Sequence, residues 1–150
     1  INMDYKKLQK DLKFGFKSEK DIHKILEDKF GELKNTADDE KYGKYFEFDK
    51  YNDNYFIEMK TRRILHNQYP TLFFGENKLK KGDKLLQENP HMKIFYLWKC
   101  NDKIVYWQHR SSPFNICKRG RWDRGKQEVD DCVDIQLKYI KSLDKLFEED

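Results

Sequence analysis

Two short runs of this chain alternate large apolar with polar residues, with turn-forming residues between them. The first is Tyr45-Phe46-Glu47-Phe48-Asp49. The second is Tyr55-Phe56-Ile57-Glu58-Met59-Lys60, which alternates apart from Phe56. The intervening Tyr51-Asn52-Asp53-Asn54 is turn chemistry, because Asn and Asp tolerate left-handed backbone and bond their own main chain. A period of two marks a strand with one buried face. The pair predicts a β-hairpin, and burial of its apolar face predicts the register. With Asn52 and Asp53 at the centre, Lys50 faces Tyr55, Phe48 faces Ile57 and Phe46 faces Met59. A one-residue slip would scatter the apolar face. Glu47, Asp49, Glu58 and Lys60 are then left together on the other face.

Acids gathered this way need a reason, since Glu47 directly opposite Glu58 would repel. A bound divalent cation removes the repulsion. Ligands that are all oxygen suit Mg²⁺ or Mn²⁺, which keep several waters and bind through one or two carboxylates. Lys60, two residues along the strand from Glu58, is placed to hold or help deprotonate a metal-bound water, or equally to stabilise charge on a phosphate. Metal, polarised water and ammonium together are equipment for hydrolysing a phosphodiester. The same E-x-K spacing recurs at Glu27-Lys29, Glu32-Lys34 and Glu76-Lys78. Those three fall in predicted helices or at their ends, where side chains at i and i+2 do not share a face.

The flanking segments predict the remaining elements. Leu8 and Leu12 hint at a helical turn before Gly15. Ser18 caps a helix from Glu19 to Phe30, with Asp21 in its first turn and Ile22, Ile25, Leu26 and Phe30 on its apolar side. Thr71 to Phe74 is a short apolar run. Gly75 to Asn89 reads as a helix interrupted by Gly82, at a cost of about 1 kcal/mol, and stopped by Pro90. Lys93 to Trp98 and Lys103 to Gln108 form a second hairpin around Asn101-Asp102. Val133, Ile135, Leu137 and Tyr139 alternate as a strand, and Ser142 caps a last short helix to Glu148. Neither a repeat nor a linker interrupts residues 1–150, so one α+β domain is expected.

Charged residues make up 39% of the chain and aromatics 15%. The aromatic content excludes a disordered chain, which would be poor in such residues. No apolar run approaches the roughly 18 residues needed to span a bilayer, and no signal peptide is visible, so no membrane partner is expected. The three cysteines are far apart and the four histidines lack metal-motif spacing. An intracellular, reducing compartment is therefore expected: cytoplasm, nucleoid or nucleus, or the host cell for a viral protein.

The order of these features resembles the PD-(D/E)xK nuclease superfamily: a helix bearing Glu, a strand bearing Asp, a hairpin return to E-x-K, then helix and strand. The resemblance covers roughly Gly15 to Gln108. It implies a restriction-endonuclease-like core, a central mixed β-sheet flanked by helices. Gly15-Phe16-Lys17-Ser18-Glu19 looks like the helix motif, which makes Glu19 an outer metal ligand. Phe48-Asp49 stands where the family has Pro-Asp, implying Asp49 as the bridging ligand. Glu58 becomes the second carboxylate, the Met59 main-chain carbonyl a third ligand, and Lys60 the catalytic lysine. Among superfamily members, the chain looks most like small resolvase-type and phage or large-DNA-virus endonucleases. Related resolvases and restriction enzymes often pair two active sites, so a homodimer is among the implied states.

The basic residues fit a nucleic-acid partner, most simply DNA. Arg62 and Arg63 follow the lysine, and Lys78 and Lys81 lie on the next helix, with Lys78 able to approach the metal site. Arg121 and Arg124 flank Trp122, on which a base could stack. A solvated charged face is the plainer reading of each cluster, as ordinary packing is of Trp122. An RNA endonuclease of the same fold is the nearest alternative. Such enzymes often carry a histidine near the metal, and His23, which follows Ile22 off the Glu19 side, argues mildly against that. A non-catalytic nucleic-acid-binding module, or an interaction domain displaying Tyr96, Trp98, Tyr106 and Trp107, are the alternatives outside catalysis.

Overall fold

A computed structural model describes residues 18–111, 116–121 and 128–148. Helix α1 (Glu19–Phe30) opens with a reciprocal cap: Asp21 N donates to Ser18 Oγ (3.1 Å) and Ser18 N to Asp21 Oδ2 (3.3 Å). It ends at Gly31, whose φ of 85° lies in the left-handed region that glycine enters without strain. Strands β1 (Lys34–Asn35), β2 (Lys50–Tyr51) and β3 (Tyr55–Thr61) follow, then β4 (Thr71–Gly75) and helix α2 (Glu76–Glu88). Next come β5 (Lys93–Lys99), β6 (Ile104–Gln108), β7 (Ile116–Arg121), β8 (Glu128–Gln136) and β9 (Lys141–Ser142).

Six strands form one mixed sheet in the order β1-β2-β3-β5-β6-β9, and β4-β8-β7 form a smaller antiparallel sheet. The central pairing is parallel, β3 on β5, with Glu58 opposite Tyr96 and Lys60 opposite Trp98. A parallel pair needs a crossover, supplied here by β4 and α2, and is normally covered on both faces. Ile94-Phe95-Tyr96-Leu97-Trp98 accordingly is buried without a break. One face packs Phe56, Tyr96 and Trp98 against Phe74, Leu85, Val133 and Ile135 of α2 and the small sheet. The other packs Ile57, Phe95 and Leu97 against Ile22, Leu26 and Phe30 of α1 and against Leu143 and Leu146. Among the described residues, no helix is long and apolar enough to cross a membrane.

The second hairpin forms as expected, with Lys99 opposite Ile104. The first hairpin differs. Only Lys50–Tyr51 of its leading arm is strand, and Lys50 pairs with Ile57 and Tyr51 with Phe56. The register is thus displaced by two residues, which sets Asp49, rather than Glu47, beside Glu58, and the expected apolar face is split: Phe46 and Phe48 pack with Phe56 in one layer, while Ile57 and Met59 pack in the other, against α1. The reason is that both faces are covered. Phe56, the exception to the alternation, lies on the same side as Glu58 and is buried with Phe48 in the first core cluster. A single apolar face therefore did not govern the pairing. Two further differences lie near the C-terminus. The strand over Val133 ends at Gln136 and becomes a 3₁₀ turn, Leu137–Tyr139. Ser142 ends β9 and makes no side-chain cap, with only a 3₁₀ turn, Leu143–Lys145, after it. Leu8, Leu12, Trp122 and Arg124 lie outside the described residues.

Gly82 is buried inside α2 because a side chain has no room there. A Cβ would stand 2.7 Å from His109 Cε1, 2.8 Å from His109 Nδ1 and 3.0 Å from the Tyr96 hydroxyl oxygen. His109 is itself held, with Nδ1 at 2.8 Å from the Tyr96 hydroxyl and Nε2 at 2.8 Å from Asp83 Oδ1. Gly82→Ala should thus lower stability by about 1–3 kcal/mol through overpacking, although alanine favours helix by about 1 kcal/mol. Thermal unfolding of the variant checks this.

Candidate active site

The residues singled out by the sequence converge on the end of β3 that leads into the loop after Thr61. Strand alternation divides them between two hollows. Lys60 and Arg62 line a cleft of about 560 Å³ together with Glu76, Asn77, Lys78 and Lys80 of α2. Asp49, Met59 and Thr61 line a second hollow of about 760 Å³ on the α1 side, with Glu19, His23 and Lys50. Glu58 lies between, 5% exposed.

Asp49 is fixed by its backbone. Its N–H donates to Ile57 O (2.9 Å), and its carbonyl accepts from Thr36 N (2.9 Å). Thr36 Oγ1 also donates to Phe48 O at 2.6 Å. Asp49 Oδ2 accepts from Met59 N at 3.1 Å. Thr36 is a positioning residue that sequence reading missed: a lone threonine in a polar stretch carries no signal, and only its buried hydroxyl reveals the role.

Glu58 is the electrostatic centre. Burial is the main reason that its carboxyl is pushed up to about 7, from an ordinary 4.5. The charge of Asp49 and a hydrogen bond with it push the same way, while Lys78 pulls it down. Lys78 Nζ stands 2.6 Å from Glu58 Oε2 and donates to Glu47 O at 2.7 Å. The Lys78–Glu58 contact is an ion pair, and Oε2 itself is buried. α2 is anchored at that point by the Tyr96 hydroxyl, which donates to the Lys78 carbonyl at 3.1 Å.

The other residues are more dispersed. Glu19 is exposed on the rim of the hollow that holds Asp49. Arg63 is exposed, and Lys81 turns away from the cleft, its Nζ 5.4 Å over the Phe46 ring. Lys80, not Lys81, is the neighbour of Lys78 in the cleft. Arg121 ends β7. Glu47, half-buried, contributes its carbonyl rather than its carboxylate. His23 does line the hollow of Glu19 and Asp49, with Nδ1 2.6 Å from Lys50 Nζ. Its place one residue along the helix had suggested otherwise, but the hollow is wide enough to take in Glu19, Ile22 and His23 together. Tyr96, Trp98 and Trp107 are core residues, not a partner surface.

A family of proteins described as "Phage putative PDDEXK endonuclease" matches this chain over residues 11–143. The chain belongs to that family. No curated protein and no solved structure matches it. Membership of a PDDEXK endonuclease family agrees with the mixed central sheet flanked by helices, and it implies a nuclease whose substrate is nucleic acid. Among the described residues, no three His, Cys, Asp or Glu side chains stand close enough to hold a metal ion. Two carboxylates do meet, Asp49 and Glu58, with Lys78 Nζ 2.6 Å from Glu58 Oε2. That donor set fits a hard divalent cation that keeps much of its water.

A raised carboxyl pKa has a definite sign in stability. Between about 4.5 and about 7 the folded protein holds a proton on Glu58 that the unfolded chain has released. That contribution to stability is therefore present at low pH and lost as pH rises through 7. Without divalent cations, Tm should fall by several degrees from pH 6 to pH 8. In Glu58→Gln the fall should be markedly smaller; calorimetry of both proteins in EDTA checks it.

Proposed function

We propose that this chain is a metal-dependent endonuclease that hydrolyses DNA phosphodiester bonds inside the cell. Asp49, Glu58 and the Met59 main-chain carbonyl hold Mg²⁺ or Mn²⁺, with Glu19 an outer ligand through water. The observation that carries the reading is the buried carboxylate: Glu58, beside Asp49, turns a buried oxygen to the Lys78 ammonium, 2.6 Å away, at the border of a cleft lined by Lys60, Lys78 and Arg62. Such an oxygen is costly to bury unless something takes its lone pair.

When bound, the cation lowers the pKa of a coordinated water and polarises the phosphoryl group. The chain supplies the rest. Asp49 is oriented by Met59 N–H and held by Thr36, so its carboxylate need not reorganise during reaction. Lys60 is the catalytic lysine: its ammonium, in the cleft on the same side of β3 as Glu58, stabilises charge that develops on the phosphoryl oxygens. Lys78, Arg62 and Arg63 neutralise phosphates of the bound strand, as do Lys81, Arg121 and Arg124 in the wider reading. Two such sites in a homodimer would let both strands of a duplex be cut.

An RNA substrate is the second reading. It is favoured by His23, which shares the hollow of Glu19 and Asp49. End-labelled duplex DNA, single-stranded DNA, four-way junction and RNA, each with Mg²⁺, Mn²⁺ or EDTA, separate the two. Cutting of DNA in Mg²⁺ or Mn²⁺, absent in EDTA, is the expected result. Lys60→Ala should reduce the rate by about 10²–10³-fold while leaving folding and nucleic-acid binding largely intact. Undiminished cutting by that variant would overturn the assignment of Lys60, and binding with no cutting in any metal would favour a non-catalytic module.

A further inference from the structure

Beyond Thr61 the chain leaves the sheet as a loop, residues 62–70, before β4 begins. Leu65 and Tyr69 on this loop are 48% and 54% exposed, so it is not held by a core of its own. Hydrogen bonds hold it instead. Arg62 N donates to Lys99 O (2.9 Å) and Asn101 N to Ile64 O (2.8 Å). His66 N donates to Asp102 Oδ1 (2.9 Å), and the His66 ring meets the other Asp102 oxygen. Leu65 N donates to Gln68 Oε1 and Gln68 N to Leu65 O, both at 3.2 Å. The β5–β6 turn thus clamps an otherwise exposed loop in one shape.

That shape encloses a groove of about 440 Å³ lined by Arg62, Ile64, Tyr69, Pro70, Leu72 and Phe73. The groove adjoins the Lys60–Lys78 cleft, because Arg62 and Phe73 line both. The Arg62 guanidinium lies 5.1 Å over the Phe73 ring at the shared wall. A cation-lined cleft therefore passes directly into an apolar groove with an exposed aromatic at its edge. A nucleotide has the matching pair of properties in one unit, an anionic phosphate and a flat base whose faces stack on aromatic rings.

We propose that this groove receives an unpaired nucleobase of the DNA strand whose phosphate occupies the cleft, stacked on Tyr69 with its phosphate near Arg62. The inference rests on the nuclease reading and narrows its substrate class. A paired base inside a duplex is already stacked on its neighbours and cannot enter the groove without being extruded. Single-stranded, frayed or branched DNA offers the base freely, so such substrates are the preferred ones.

The test uses the whole chain in EDTA, which stops cutting, and fluorescence anisotropy of labelled single-stranded and blunt duplex oligonucleotides. Wild type should bind the single strand more tightly than the duplex. Tyr69→Ala should weaken single-strand binding on the order of tenfold and change duplex binding less than about twofold, whereas Tyr69→Phe, which keeps the ring, should bind like wild type. A single strand carrying 2-aminopurine should lose fluorescence by stacking on wild type and Tyr69→Phe, but not on Tyr69→Ala. Equal single-strand binding by Tyr69→Ala and wild type, or equal losses on both substrates, would overturn the groove. If Tyr69→Ala does not fold, the 2-aminopurine signal with wild type and Tyr69→Phe still decides, because no quenching overturns it. Wild type that neither binds nor cuts DNA when Mg²⁺ or Mn²⁺ is supplied defeats the DNA-nuclease reading as well. Wild type that binds and cuts while Tyr69 variants behave normally defeats the groove alone.

Discussion

Glu58 lies in the middle of a sheet covered on both faces, where an ionised carboxylate is stable only against a counter-charge. The surroundings supply one such charge and one that opposes it. Lys78 reaches in from α2, and its helix is tied to the sheet by the Tyr96 hydroxyl. Asp49 comes from the neighbouring segment, where it shares a hydrogen bond with Glu58 instead of two free charges. Thr36 in turn fixes the backbone that carries Asp49. Taking away Lys78 would leave the buried acid uncompensated, whereas taking away the Asp49 charge would relieve it, so the site and the stability of the sheet are coupled.

Much of this was legible in the chain itself. The helix from Ser18 to Gly31, the turn at Asn101-Asp102 and the strand carrying Glu58 follow from caps, turn residues and alternation, all of which are local. The register at Lys50 and Ile57 was not, because it depends on Phe56 being buried against a second layer that lies far away in sequence. Parallel pairing of β3 with β5 leaves no local trace either. The unbroken apolar run from Ile94 to Trp98 is its one echo. Within the site, the acidic and lysine residues of β3 and its neighbour were recognisable by type and spacing. Thr36 was not, since its importance lies in a hydroxyl donated to a backbone carbonyl. Lys80 and Lys81 could not be told apart, because one helical step decides which of them faces the cleft.

β3 acts as a partition. Alternate residues along it, Lys60 and Arg62 against Met59 and Thr61, open onto different hollows. Each hollow mixes both signs: Glu76 and Asp131 stand among the cations of one, and Lys20, Lys50 and Lys99 among the acids of the other. A strand used this way needs no loop to bring its groups together, and its side chains are held as firmly as the sheet.

The parallel ladder also sets an order on how the molecule is made. Glu58 and Tyr96 are ladder partners although β4, α2 and their connections separate them in the chain. Contacts between such distant partners form late, because a long loop must close first. A nascent chain that has emerged as far as Lys60 already holds Glu58, yet neither the β5 partner strand nor the Lys78 that surround it in the folded sheet. The raised pKa of Glu58 is a property of the finished protein and not of the segment that carries it.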